Sequence, residues 1–137
     1  MMLIKEFISE TNKNKMISDL LKYYKVGSVK VKQKSMKDHA HYNVDTGTLE
    51  LSTRYKTIKN RQLKEFLITI LHEIYHAMDA KRYGWKKFKD MYEMEMNLQI
   101  QLGKDEYKNN KYEINAEKFG KKNWSKWKRR FKKEGLI

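Results

Sequence analysis

From Leu63 to Met78 the apolar residues Leu63, Phe66, Leu67, Ile70, Leu71, Ile74, Ala77 and Met78 fall at the i, i+3, i+4, i+7 positions of a helix. A stripe this regular has to be buried along its length, so residues 60–83 predict a helix packed against other elements. Asn60 is the expected N-cap and Gly84 the expected stop. The chain has no Pro and six Gly, so turns are few and the elements around this helix should be long.

The remaining segments sort by period. Residues 1–25 predict helix: Ile4, Phe7 and Ile8 recur at helical spacing, then Met16, Ile17, Leu20, Leu21 and Tyr24. Thr11 or Asn12 is the expected cap of a second helix within that region, and Gly27 ends it. Residues 28–58 change to period two. Val29 and Val31 alternate with lysines, His39, His41 and Asn43 alternate with Ala40, Tyr42 and Val44, and Leu49 and Leu51 alternate within Thr48 to Ser52. Asp45-Thr46-Gly47 supplies a turn, so a short antiparallel sheet with a hairpin at Gly47 is expected. Residues 86–102 are apolar at every second position from Tyr92 to Leu102, which is strand spacing. Met, Glu, Gln and Leu are helix formers, however, and an eleven-residue strand is long, so helix is the reading here. Gly103 to Lys111 is polar loop, and residues 112–133 predict a last helix carrying Ala116, Phe119, Trp124, Trp127 and Phe131. No repeat or linker interrupts the 137 residues, so one domain, 1–137, is expected.

Composition removes several chemistries. There is no Cys, which excludes disulfides, zinc ribbons and thiol nucleophiles, and leaves His, Asp and Glu to hold any metal. No stretch is apolar enough for a membrane span, and the opening Met1 to Phe7 is too short in its apolar part for a signal peptide, so a cytoplasmic protein without a membrane partner is expected. Lys plus Arg number 31 against 17 acids, a net charge of +14, which invites nucleic acid or an acidic partner. Only five of the 31 are Arg; an excess of Lys is also what an AT-rich genome writes.

Chemistry concentrates in His72-Glu73-Ile74-Tyr75-His76, inside the strongest helix. Two His four apart project from one face, one turn apart, where a single Zn²⁺ can accept both imidazoles. Glu73, three before His76, is poorly placed as a ligand but can reach a water on the metal, which is the HExxH arrangement of metallopeptidases. Zinc lowers the pKa of such a water and polarises a carbonyl, while Glu73 would take the proton and pass it to the leaving amine. His39 and His41 lie on the expected sheet, where they share one strand face; an exposed pair is the plainer reading and a second metal the other. The third ligand is then a carboxylate, and Glu113 is the best placed. Glu113 and Glu117 are four apart on the last helix, so Glu113 can ligate while Glu117 hydrogen-bonds the outer nitrogen of His72, and small Ala116 lets the helices approach. The plainer alternative is a solvated or core-satisfied His pair. Against it stands a polar triplet, His72, Glu73 and His76, in mid-helix with Leu71 and Ile74 packing beside it, and Glu-x-x-Ala-Glu on a second helix.

These residues resemble a zincin of the gluzincin type, and in particular the anthrax lethal factor-like peptidase family. That family follows HExxH with Ala-x-Asp, here Ala77-Met78-Asp79; it has a helix with a Lys-Lys-Phe-type start, here Lys86-Lys87-Phe88; and it has Glu-x-x-Ala-Glu-x-Phe, here Glu113, Ala116, Glu117 and Phe119. The likeness covers roughly residues 65–120 and leaves the residues before 60 unmatched. It implies one zinc per chain, Glu113 as ligand, and a Tyr that donates to the developing oxyanion. Tyr107 is the nearest counterpart, one residue off the family spacing, and Tyr112 adjoins the ligand. Asp79, one turn after His76, either supports the centre from behind or ties down the helix end. Small zincins carried by phages and mobile elements are similar too, which favours a specific protein substrate over general digestion.

The expectation is therefore an α+β zincin-like metallopeptidase domain, a small antiparallel sheet packed on the HExxH helix and a C-terminal ligand-bearing helix. The residues are His72, His76 and Glu113 on the metal, Glu73 and Tyr107 in catalysis, and Glu117 and Asp79 behind them. Two alternatives stay open. One is a zinc-binding pseudo-enzyme. The other is a nucleic-acid-binding module, because Lys121 to Lys133 holds eight basic residues and no acid, interleaved with Trp124, Trp127 and Phe131. Those three aromatics share helical spacing, which suits a buried stripe better than base stacking.

Overall fold

The computed structural model describes residues 7–137, and the opening residues of the expected first helix lie outside that range. The order of elements is β1 (Phe7–Ile8), α1 (Glu10–Tyr23), β2 (Lys30–Lys34), β3 (Ala40–Asn43), β4 (Thr48–Ser52), β5 (Ile58–Lys59), α2 (Leu63–Tyr83), α3 (Trp85–Gln101) and α4 (Lys111–Lys133). This is a mixed α+β arrangement in which helices dominate.

Helix α2 is the central post. Leu63, Phe66, Leu67, Ile70, Leu71, Ile74 and Ala77 are buried along it and join the core formed with Met16, Ile17 and Leu20 of α1, Leu49 and Leu51 of β4, and Trp127 and Phe131 of α4. The cap lies two residues later than expected, at Gln62: Asn60–Gln62 form a 3₁₀ turn and α2 starts at Leu63. The Gln62 side chain accepts the Lys59 N–H at 3.0 Å, so the chain enters the helix through a tightened turn. Gly84 ends the helix as expected, with φ +83, which favours glycine there.

At the chain's start the helical reading needs correction. Phe7–Ile8 form a strand paired antiparallel with Ile58–Lys59, and Ile8 and Ile58 are buried together. The cap of α1 is Ser9, whose hydroxyl accepts the Asn12 N–H at 3.1 Å, in place of Thr11 or Asn12. Pairing with a segment fifty residues away decides those two residues, and a local period cannot register that.

The sheet has the order β2-β4-β3. The β3–β4 hairpin turns at Gly47, φ +65, and is antiparallel as expected. Strand β2, however, runs parallel to β4, so the sheet is mixed where a wholly antiparallel one was expected. Leu49 and Leu51 are the most buried residues of the three strands, and burial on the core face puts β4 in the middle with the lysine-rich β2 at one edge. Strand β3 takes the other edge, against α2.

Helix α3 forms where helix was read, and its alternating pattern has a visible consequence. Phe88, Glu95 and Gln99 turn inward, while Met94, Leu98 and Ile100 turn outward. Glu95 Oε2 accepts the Lys111 N–H at 2.8 Å, so the buried acid holds the start of α4. Asn110 caps α4, accepting the Tyr112 N–H at 2.9 Å.

Helices α2 and α4 pack antiparallel. Lys64 meets Trp124, Ile68 meets Gly120, His72 meets Glu117 and His76 meets Glu113, one turn per step. At Gly120 the helices are so close that a Cβ would sit 2.8 Å from the Ile68 carbonyl oxygen and 3.2 Å from its Cγ2. Gly120→Ala improves intrinsic helix propensity by about 1 kcal/mol, yet must push a backbone carbonyl. Overpacking of that kind costs about 1–3 kcal/mol, so the variant should be net destabilised. Chemical denaturation measures it, and an unchanged or raised midpoint would show that the helices are not this tightly apposed.

Candidate metal centre

The centre forms where α2 and α4 face each other beneath the β3 edge. His72 and His76 occupy one face of α2, and Glu113 lies in the first turn of α4. His72 Nε2 and His76 Nε2 each lie 2.8 Å from the same oxygen, Glu113 Oε1. One ligand atom from each of the three lies within 4.8 Å of the others, and all three side chains are buried. Among the described residues this is the only such His and carboxylate cluster.

The donor set suits a divalent cation. Two imidazole nitrogens close on one carboxylate oxygen, giving an N₂O donor set that could hold such an ion. Buried charge is expensive without a partner, and a cation shared by the three satisfies all of them at once. His72 Nδ1 lies 3.0 Å from Glu117 Oε2, the support from behind that the spacing suggested. His76 differs: its Nδ1 is buried with no hydrogen-bond partner. Asp79 is buried one turn on, with Arg82 4.0 Å away, and does not hydrogen-bond that ring.

Charges in the cluster shift one another. For His72 burial is the largest influence and disfavours the cation, but the surrounding Glu113, Glu73 and Glu117 outweigh it and lift its pKa to about 9. Burial pushes Glu113 upward, yet His72, His76 and Tyr92 together hold it well below the usual carboxylate range. Glu73 is raised by burial, opposed by the two His and the Tyr42 amide.

Glu73 stands beside the donor set. Its Oε1 accepts the Tyr42 N–H at 2.9 Å, and its Oε2 lies 4.0 Å from His72 Nε2. Tyr42 sits on β3 opposite Leu49 of β4, between His41 and Asn43, which lie opposite Glu50 and Thr48. Its N–H points off the free edge of the sheet, and the edge strand thereby fixes one oxygen of Glu73.

The donors open into a cleft of about 1030 Å³ between β3, α2, α3 and the loop before α4. Tyr107 lines this cleft and is more than half exposed; partial burial and the carboxylates of Glu113 and Glu73 push its phenol up. His39 and His41 line it too, but His39 is engaged with Tyr55, 3.3 Å from its hydroxyl, and with Glu65 at 3.4 Å. Neither joins a cluster of three ligands among the described residues.

Tyr92 escaped the sequence reading. Its hydroxyl donates a hydrogen bond to Glu113 Oε2, while Oε1 faces the imidazoles. It stands in α3 among Phe88 and Tyr112, and burial and Glu113 push its phenol up strongly. The available signal was its helical register: Phe88 and Tyr92 are four apart and face the site together.

Compared with family models, curated proteins and solved structures, the chain matches none.

Outer hydrogen bonds to metal ligands are worth about 10–100-fold in metal affinity. Tyr92→Phe should therefore weaken divalent-metal binding by about that factor while the fold is retained. Competition against a chromophoric chelator reads the affinity, and wild-type affinity in the variant would remove Tyr92 from the centre.

Proposed function

We propose that this chain is a zinc-dependent metalloendopeptidase of the gluzincin type, acting on a protein or peptide substrate. The observation that carries the reading is the placement of Glu73. Its carboxylate faces the cleft beside three converging ligands and is anchored by a backbone amide of the edge strand. A buried acid in that position has no structural task that a glutamine could not perform.

His72, His76 and Glu113 are the residues that would hold zinc, with Glu117 and Tyr92 orienting His72 and Glu113. When bound, zinc supplies Lewis acidity for the scissile carbonyl and for water. Glu73 Oε2 is free to accept the proton of the attacking water and to deliver it to the leaving amine, while Oε1 stays on the Tyr42 N–H. Burial raises the proton affinity of Glu73, which suits a group that must take a proton and give it back. Tyr107 lines the cleft from the loop before α4 and is the donor for a developing oxyanion. The free edge of β3 offers backbone groups to an extended peptide, which would add as a strand along the cleft. These features, with the family resemblance carried by Ala77-Met78-Asp79 and Glu113-x-x-Ala116-Glu117, support peptide hydrolysis over other metal chemistry.

The test separates enzyme from pseudo-enzyme. Metal analysis should give about one zinc per chain, and an unfolded-protein or peptide-library substrate should be cleaved. Glu73→Gln should lower turnover by at least about 100-fold with zinc content unchanged. A variant that retains activity, or a zinc-loaded wild type that cleaves nothing in a broad library, would end the peptidase reading.

A further inference from the structure

We infer that the outward face of α4 is a binding surface for double-stranded nucleic acid, read through its phosphate backbone and separate from the metal centre. The face follows from helical phase. Ala116, Gly120, Trp127 and Phe131 turn into the core. Lys118, Lys121, Lys122, Lys128, Arg129 and Lys132 lie on the opposite side around Ser125, all six exposed. At 1.5 Å per residue the row runs about 21 Å along one straight helix.

The charges on this face lack the partners that a merely solvated helix acquires. From Lys118 to Lys133 the helix has nine cations and no acid. Of the six on this face only Lys121 has a carboxylate within ion-pair distance among the described residues: Glu117, at 3.6 Å. Lys118 and Lys122, Lys128 and Lys132, and Arg129 and Lys133 stand four apart, a spacing at which like charges repel and weaken the helix. The helix dipole favours cations in the last turn, which accounts for Arg130, Lys132 and Lys133. It does not account for Lys118, Lys121 and Lys122 in the middle. A polyanion laid along the row relieves this repulsion and releases its own counterions.

A duplex fits better than a single strand. Single strands are held by exposed aromatic platforms, and here Trp127 and Phe131 are in the core. Trp124 is half-buried between α2 and α4, with Lys64 Nζ 5.0 Å and Lys128 Nζ 6.0 Å from its ring centre. Lys64 thus extends the positive surface onto the start of α2. What remains exposed is charge without stacking, which suits a regular double-stranded backbone and carries no base readout.

The experiment uses the intact chain and a short fluorescein-labelled DNA duplex of mixed sequence, followed by anisotropy across salt. Binding should weaken about 10³-fold between about 50 and 200 mM salt, as expected for about six phosphate contacts. The triple variant Lys122→Gln, Arg129→Gln and Lys132→Gln should lose about three units of salt slope and at least about 10-fold in affinity. Glutamine keeps helix propensity, and circular dichroism checks the fold. The charge-matched control Lys30→Gln, Lys32→Gln and Lys34→Gln on the exposed β2 edge should bind as wild type. Equal losses in the two triple variants would reduce the effect to net charge and overturn the proposal. Binding to poly-glutamate as tight as to DNA, or binding abolished by a metal chelator, would overturn it as well. Failure of the peptidase reading leaves this result untouched, because no metal ligand is altered.

Discussion

The close antiparallel contact between α2 and α4 is what the rest of the molecule depends on. It is a register of four matched pairs, from Lys64 against Trp124 to His76 against Glu113. Gly120 sets how near the helices come, and Glu113, Glu117 and Gly120, four and then three residues apart along α4, face His76, His72 and Ile68, four apart each time along α2. A slip of one turn breaks the match: one way, His76 meets Glu117 but His72 meets Gly120; the other way, His72 meets Glu113 but Glu117 meets Ile68. Buried charges of this kind are costly alone and tolerable only together. The register is therefore held from both ends, by core packing at Trp127 and Phe131 and by polar convergence at Glu113.

The second constraint is the β3 edge. A sheet edge normally exposes unpaired backbone groups that must be managed. Here one of them, the Tyr42 N–H, is given to Glu73. The same bond ties the sheet to α2 and fixes the orientation of the acid that stands beside His72, His76 and Glu113. Fold and site thus share an interaction, so the mixed sheet is small but cannot be dispensed with. Helix α3 closes the opposite wall with fewer apolar contacts: Phe88 is its only buried large hydrophobic residue, and polar Glu95 and Gln99 complete its inner face.

What could be read in the sequence was what depends on local period. The α2 stripe, the His pair on it, the α4 stripe and the four-residue spacing of Glu113 and Glu117 all follow from 3.6 residues per turn, and the structure brings those side chains together. Partnership between distant segments was less legible. Nothing in Lys30 to Lys34 says that the strand runs parallel to β4, and nothing in Phe7-Ile8 names Ile58 as a partner. Tyr92 was hidden for a different reason. The apolar alternation from Tyr92 to Leu102 obscured which face of α3 turns inward, and with it the hydroxyl that reaches Glu113.

Helix α4 also shows how one element can carry two opposed charges without conflict. Glu113 sits in the first turn, where the positive end of the helix dipole favours an anion, and the cations gather towards the carboxyl end. The dipole lowers the cost of burying the carboxylate and tolerates the lysines of the last turn. Between them, Glu117 belongs to both regions: its Oε2 faces His72 and its Oε1 lies 3.6 Å from Lys121. The side chain that hydrogen-bonds His72 of the candidate centre is thus the last acid before the basic row begins. With the Debye length near 8 Å at physiological ionic strength, charge placed on the far end of that row is screened from the centre. The acidic start and the basic remainder of α4 are thus electrostatically separable along one helix.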